Sequence, residues 1–154
     1  MAKYTPGRYT ADIDGEFVVF IIGARVNKPW RLVKALRALG NLKKMVKHLE
    51  AHPEKGMLHQ ETAGFTSIQY WRSFEALEAF AHDPDPHLEQ WRTYTKLAHR
   101  TGEAGIWHET YVIAPGKYEV IYDNMPARGL ARAGRHVAVK DSSRARGRLS
   151  SPTS

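Results

Sequence analysis

The sequence predicts an α+β fold, a ferredoxin-like split βαβ sheet that forms a dimeric α+β barrel. First, residues 16–26 (EFVVFIIGARV) are continuously apolar and rich in β-branched side chains, without the alternation of a half-exposed strand. Second, the expected elements follow the order strand, helix, two strands, helices, strand and one extra strand. The chain's own helices cover one face of the first strand, so we expect a second subunit on the other face.

The first helical stretch begins at Pro29 and extends to about His52. Its apolar stripe recurs at three- and four-residue intervals: Leu32, Leu36, Leu39, Leu42, Val46 and Leu49. Gly40 and Asn41 are expected to break or kink it. Residues 57–71 then contain two short strand candidates around residues 62–64, which predicts a hairpin.

The second helical region is expected to be broken. Ser73 is a good N-cap for the helix FEALEAFAHD, and the next helix (HLEQWRTYTKLAHRTG) is expected to end at Gly102. Residues 104–114 predict a strand. Residues 117–125 predict another, joined to it by a turn at residues 115–116.

Composition limits the class of protein. The 154 residues, 42% of them hydrophobic, are enough for one domain with a core. We expect an N-terminal extension (residues 1–14), the barrel domain (residues 15–139) and a disordered basic tail (residues 140–154). The chain has no cysteine, which excludes disulfides and thiolate ligands. It has neither a membrane-span-length apolar run nor a signal-peptide stretch, so we expect a cytoplasmic protein without a membrane span.

The net charge of +7 is concentrated near the C-terminus. From residue 128 onward the chain carries seven basic residues and one acidic residue, which gives +6 of the +7. Such a tail can contact RNA, anionic lipid or nothing, so we expect no specific nucleic-acid partner.

His87 is the first candidate site residue. Asp85 suits the N-cap of the second helix and Pro86 its first helical position, so His87 would lie in the first turn. The positive end of the helix dipole disfavours protonation there, and a neutral imidazole is the form that binds a metal. The alternative is a polar residue at a solvated helix start.

His108 and Glu109 form the second candidate site. Neighbouring residues on a strand point to opposite faces, so one is expected in a helix-side pocket and the other at the dimer interface. A buried Glu109 would need a partner, for which Arg72 or Arg92 could serve. Alternatively, one of the two side chains finds its hydrogen-bond partner within the core, and the other makes a hydrogen bond at the interface.

Aromatic side chains near these residues suit a flat ligand or a porphyrin. The set comprises Tyr70, Trp71, Trp91, Trp107, Tyr111 and Tyr122. Alternatively, aromatic residues that recur at the spacing of a strand or a helix are ordinary members of the hydrophobic core.

Three segments resemble a known family: YWRSFEALEAFA with the histidine that follows, GIWHETY, and YEVIYDNMPARGL. Over about residues 15–139 the chain is similar to an uncharacterised monooxygenase-like family of the dimeric α+β barrel superfamily. Residues 70–87 also resemble the corresponding helix and histidine of spheroidene monooxygenase, and the haem-containing aldoxime dehydratases are more distantly similar. The resemblance implies haem in a pocket between helices and sheet, with His87 as the metal ligand. Of the aromatic set, Tyr70, Trp91 and Trp107 are then expected around the cofactor. Other members of the superfamily need no cofactor.

These observations predict a homodimeric monooxygenase-like oxidoreductase, or a dehydratase-like lyase, that acts on a hydrophobic small molecule, with haem or with no cofactor. His108 and Glu109 would be catalytic, and Arg72 would hold a polar substrate group or a haem propionate. One alternative is a cofactor-free enzyme of the same fold with a histidine base. Another is a non-catalytic protein that binds haem or a small molecule.

Overall fold

The computed structural model describes residues 4–39, 42–84, 89–139 and 144–150, and it is built on a four-stranded antiparallel sheet. Its four strands are β2 (Phe17–Val26), β3 (Met57–Ala63), β4 (Thr66–Trp71) and β5 (Ala104–Ile113). The strand order is β3-β4-β2-β5, the order of a ferredoxin-like split βαβ unit, which confirms the predicted α+β fold.

A second, three-stranded sheet consists of β1 (Arg8–Asp12), β6 (Tyr122–Asp123) and β7 (Arg135–Ala138), so it joins an N-terminal strand to two strands from later in the chain. The strand order in this sheet is β6-β1-β7. The short helix α5 (Leu130–Ala133) precedes β7. Arg135 donates to Asp14 at 2.7 Å and also pairs with Asp12, which fixes β7 against the end of β1 and the residues that follow it.

The helices connect the strands of the main sheet. They are α1 (Leu32–Leu39), α2 (Leu42–Ala51), α3 (Phe74–Ala81) and α4 (Glu89–Tyr94), with α6 (Ala145–Ser150) near the C-terminus. Single-turn 3₁₀ helices occur at Pro29–Arg31 and Pro53–Lys55, and a π-helical turn at Thr95–His99 follows α4. The Ser73 hydroxyl accepts the Ala76 N–H at 3.1 Å, which confirms the predicted cap of α3.

Two hydrophobic clusters hold the helices on one face of the main sheet. Helices α2 and α3 pack over Val18, Met57 and Trp71, through side chains that include Leu77 and Phe80. Helices α1 and α4 pack over the other end of β2 and the start of β5: Ala24, Val26, Ala104 and Ile106. We call this face of the sheet the helix side, and the other the open side.

The open side is covered at one end by the same chain. Phe17 and Val19 pack there against the C-terminal segment, through Tyr118, Val120, Leu130 and Ala131. A second subunit is therefore not needed over this part of β2, contrary to the expectation from the sequence. The remainder of the open side carries exposed apolar side chains: Ile68, Trp107 and Tyr111.

Three further features differ from the expectations. The strand predicted over residues 117–125 is limited to Tyr122–Asp123. Strand β1 lies within the predicted N-terminal extension and pairs with β6 and β7. Helix α6 lies within the segment predicted to be disordered, and Arg148 Nε donates to Glu119 there at 2.6 Å.

Candidate active site

The middle of β5 presents His108 and Glu109 to opposite sides of the sheet. His108 pairs with Ile22 across the strands and lies on the helix side, where its ring centroid is 5.4 Å from that of Phe20. Glu109 pairs with Ile21 and lies on the open side. The alternation expected from the sequence is confirmed, and the two side chains do not share a pocket.

His108 lies between the two helix-side clusters. Along β2, Phe20 packs with the hydrophobic cluster under helices α2 and α3, and Ala24 packs with the cluster under helices α1 and α4. Ile22 lies between these two residues and pairs with His108 on β5. The imidazole is exposed, whereas Phe20 and Ile22 are half-buried. This combination of an accessible titratable group and apolar neighbours suits an apolar ligand that has one polar or ionisable group.

The open side of β5 holds a hydrogen-bonded pair. The Tyr111 hydroxyl donates to a Glu109 carboxylate oxygen at 2.6 Å, and this hydrogen bond raises the pKa of Tyr111. Tyr111, rather than Arg72 or Arg92, is thus the partner of Glu109. Trp107 lies on the same side against Gly23, where a Cβ atom would collide with the indole ring.

Arg72 is remote from His108. It follows β4, and its guanidinium donates to the Glu54 carbonyl at 3.3 Å. Its neighbour Trp71 pairs with Val18 of β2, whereas His108 pairs with Ile22 of the same strand. Arg72 and His108 are therefore separated by about four residues along β2, which corresponds to about 13 Å at the rise of a β-strand. Arg72 instead lines an open concavity of about 400 Å³ together with Asp14 and Arg135.

The structure does not bring the predicted aromatic set around one ligand. Tyr70 lies on the open side, where burial raises its pKa, and Trp107 lies on that side too. Trp71 is fully buried on the helix side. Trp91 lies on α4, half-exposed, with its ring centroid 5.7 Å from that of Tyr94. The alternation of strand side chains separates Tyr70 and Trp107 from the two helix-side tryptophans.

His87, the predicted metal ligand, lies outside the described residues, as do Asp85 and Pro86 of the predicted helix start. Its role stays a prediction. Within the described residues, no group of three or more histidine, aspartate or glutamate side chains could hold a metal ion.

A polar cluster on the open side was missed by the sequence analysis. Glu61 accepts the Gly129 N–H at 2.8 Å and the Arg128 guanidinium at 3.0 Å, while His59 Nε2 lies 3.5 Å away. Burial raises the pKa of Glu61, but these hydrogen bonds outweigh it and the pKa is lowered. The period-two spacing of His59 and Glu61 on β3 was the available signal, and nothing in the sequence pointed to residues 128–129 as the partner.

Replacing Glu61 by glutamine should destabilise the fold in a pH-dependent way. We expect the free energy of unfolding to fall by about 1–3 kcal/mol at neutral pH, because the charged acceptor of two donors is lost. A lowered pKa means that this stabilisation is present above the ordinary value of 4.5 and is lost as the pH falls below it. Urea unfolding at pH 7 and pH 4 measures both effects. The exposed Glu78→Gln is the control, and equal losses in the two variants would contradict the assignment.

The part of the chain that the structure describes contains no helix long and apolar enough to cross a membrane. The expected cytoplasmic location stays a prediction.

The sheet order and the one-sided helix layer define a ferredoxin-like α+β domain of the kind found in α+β barrels. The chain belongs to the Monooxygenase af470-like family, which matches residues 17–130. This confirms the family resemblance seen in the sequence.

Individual relatives agree with the family and the fold. The chain is 30% identical over 148 residues to Monooxygenase af470 from Aspergillus fumigatus, an alignment that covers 80% of this chain and 53% of the relative. A crystal structure of aldoxime dehydratase (OxdRE) in complex with butyraldoxime superposes with a TM-score of 0.66 at 19% identity, covering 89% of this chain and 42% of the other. A second aldoxime dehydratase structure gives 0.52 at 15% identity, covering 97% and 46%.

At such identities the structural likeness shows the fold alone. The chain spans about half the length of the curated relative that it matches.

Proposed function

We propose that the protein is a monooxygenase-like oxidoreductase that binds a hydrophobic small molecule on the helix side of the sheet, next to His108. The observation that carries the proposal is the position of His108 between the two hydrophobic clusters, beside Phe20 and Ile22. Membership of a family named for a monooxygenase supports the oxidative chemistry. The fold by itself does not determine a reaction.

His108 would act on a proton of the substrate. A neutral imidazole next to a bound phenol or an acidic carbon can accept that proton, and the electron-rich anion then reacts with oxygen more readily. Phe20 and Ile22 would bind the apolar part of the substrate and exclude water from it. Glu109 and Arg72 have no direct part in this reaction, because they lie on the open side and at the far end of β4.

Haem is the cofactor that the resemblance implies, and its expected ligand His87 lies outside the described residues. Two open concavities, of about 540 and 400 Å³, are lined by other parts of the chain and do not include His108. We therefore assign no step to haem. A Soret band in haem-loaded protein that is lost in His87→Ala, and kept in His82→Ala, would establish that cofactor and its ligand.

Oxygen uptake tests the proposed function. Purified protein is offered a panel of hydrophobic phenols and enols, without added cofactor and after haem loading, and oxygen consumption and product formation are followed. We expect at least one compound to be consumed with oxygen. Tight binding of several compounds without consumption under either condition would contradict an enzymatic role and favour the non-catalytic binding protein.

A homodimer is the proposed assembly. Ile68, Trp107 and Tyr111 expose apolar surface on the open side, and a second copy would remove this surface from water. Sedimentation equilibrium is expected to give a dimer for the wild type and a monomer for Trp107→Glu, which places a charge at the contact. The exposed Tyr4→Glu serves as a control and should stay dimeric. A monomeric wild type at micromolar concentration would contradict the proposal.

A further inference from the structure

Residues 29–37 form an exposed apolar surface outside the candidate active site. Trp30 and Val33 are 77% and 67% exposed, and Leu32 and Leu36 are also exposed. The opposite side of α1 is buried through Ala35, Ala38 and Leu39. The helix thus packs on the protein through two alanines and one leucine while it presents larger apolar side chains to solvent. We call Trp30, Leu32, Val33 and Leu36 the apolar patch.

The apolar patch lies in a segment of the chain whose charged residues are all basic. Residues 17–49 contain eight lysines and arginines and no acidic residue, although the net charge of the whole chain is only +7. Lys34 pairs with Glu103 at 2.9 Å, at the edge of the patch. Arg31 and Arg37 line the same concavity of about 540 Å³ as Trp30 and Val33, and within the described ranges no carboxylate pairs with either arginine.

We propose that the apolar patch and its flanking arginines dock the protein on an anionic lipid surface. An amphipathic helix with aliphatic and tryptophan side chains on one side and cations beside them is the arrangement that lies in a membrane interface. Trp30 would insert at the level of the headgroups, and Arg31 and Arg37 would contact the lipid phosphates or carboxylates.

The charge of the segment favours lipid over a second copy of the chain. A two-fold contact through this patch would bring Arg31 and Arg37 of two copies together, while Glu103, the carboxylate at its edge, is already paired with Lys34. A nucleic acid would satisfy Arg31 and Arg37 but would leave Leu32, Val33 and Leu36 without an apolar partner. An anionic bilayer offers anionic headgroups to the two arginines and an apolar interior to the aliphatic side chains.

Vesicle flotation with the full chain tests the proposal. We expect the protein to float with vesicles of equal parts phosphatidylcholine and phosphatidylserine, and to remain in solution with phosphatidylcholine alone. Because each cation near an anionic surface adds attraction, Arg31→Glu with Arg37→Glu should weaken binding by about tenfold or more. Trp30→Ser with Val33→Ser should weaken it similarly, since the apolar insertion is lost. Tyr4→Ser, which removes another exposed aromatic ring outside the patch, should leave it unchanged.

Several outcomes would overturn the proposal. These are an absence of binding to the mixed vesicles, equal binding to both kinds of vesicle, or undiminished binding by the two double variants. Dissociation of an oligomer in Trp30→Ser with Val33→Ser, measured by sedimentation, would assign the patch to a contact between copies. Tight binding of a short RNA that is lost in the arginine variant, without lipid binding, would assign it to nucleic acid. Circular dichroism verifies that the variants, all at exposed positions, remain folded.

Discussion

Replacing Trp71 by alanine is expected to lower the free energy of unfolding by about 3–5 kcal/mol, the largest effect on stability that we predict. The Trp71 side chain is fully buried at the end of β4, with its ring centroid 5.6 Å from that of Phe80. Its indole N–H donates to the Gln69 side chain at 3.0 Å, so the substitution also leaves a buried acceptor without its donor. Urea unfolding followed by circular dichroism measures the change.

Trp30→Ala is the matched control, because Trp30 is 77% exposed. We expect this second tryptophan deletion to change the free energy of unfolding by less than about 0.5 kcal/mol. Similar losses in the two variants would mean that the helices are not packed over β4 as the structure has them.

Replacing His108 by alanine is expected to lower the turnover of a consumed substrate by about 10²–10⁴-fold, because the group that accepts the proton is removed. Stability should change by less than about 0.5 kcal/mol, since the imidazole is exposed. Oxygen uptake at saturating substrate gives kcat, and urea unfolding gives the stability.

His82→Ala is the control, since His82 is also exposed and its Nδ1 lies 2.9 Å from the Glu78 carbonyl oxygen, outside the candidate site. It should keep the wild-type turnover. Unchanged turnover in His108→Ala, or equal losses in both variants, would remove His108 from the proposed chemistry.

The main sheet and its helices follow from local patterns in the sequence. The apolar run of β2, the hairpin turn at Gly64 with φ +59°, and the Ser73 cap each have a signal within a few residues. The second sheet has no such signal. Strands β1 and β7 are short and partly polar, and they pair Tyr9 with Ala138, so their partners are distant along the chain.

Only the part of the candidate site that depends on a local pattern could be predicted from the sequence. Strand alternation alone placed His108 and Glu109 on opposite sides of β5. The proposed grouping of aromatic residues was based on composition, and the same alternation separates Tyr70 from Trp71. The Glu61 cluster joins β3 to residues 128–129, a sequence separation of 67 and 68 residues that no local pattern encodes.

The central claim is that the substrate binds on the helix side of the sheet, and a histidine-ring NMR titration tests it most directly. His108 reports on the helix side, and His59, whose ring centroid lies 6.4 Å from that of Tyr70, reports on the open side. The two resonances are assigned with His108→Ala and His59→Ala, and the substrate found by oxygen uptake is then added. We predict a saturable shift of the His108 resonance and none for His59. A shift of His59 with His108 unchanged would place the substrate on the open side and contradict the claim.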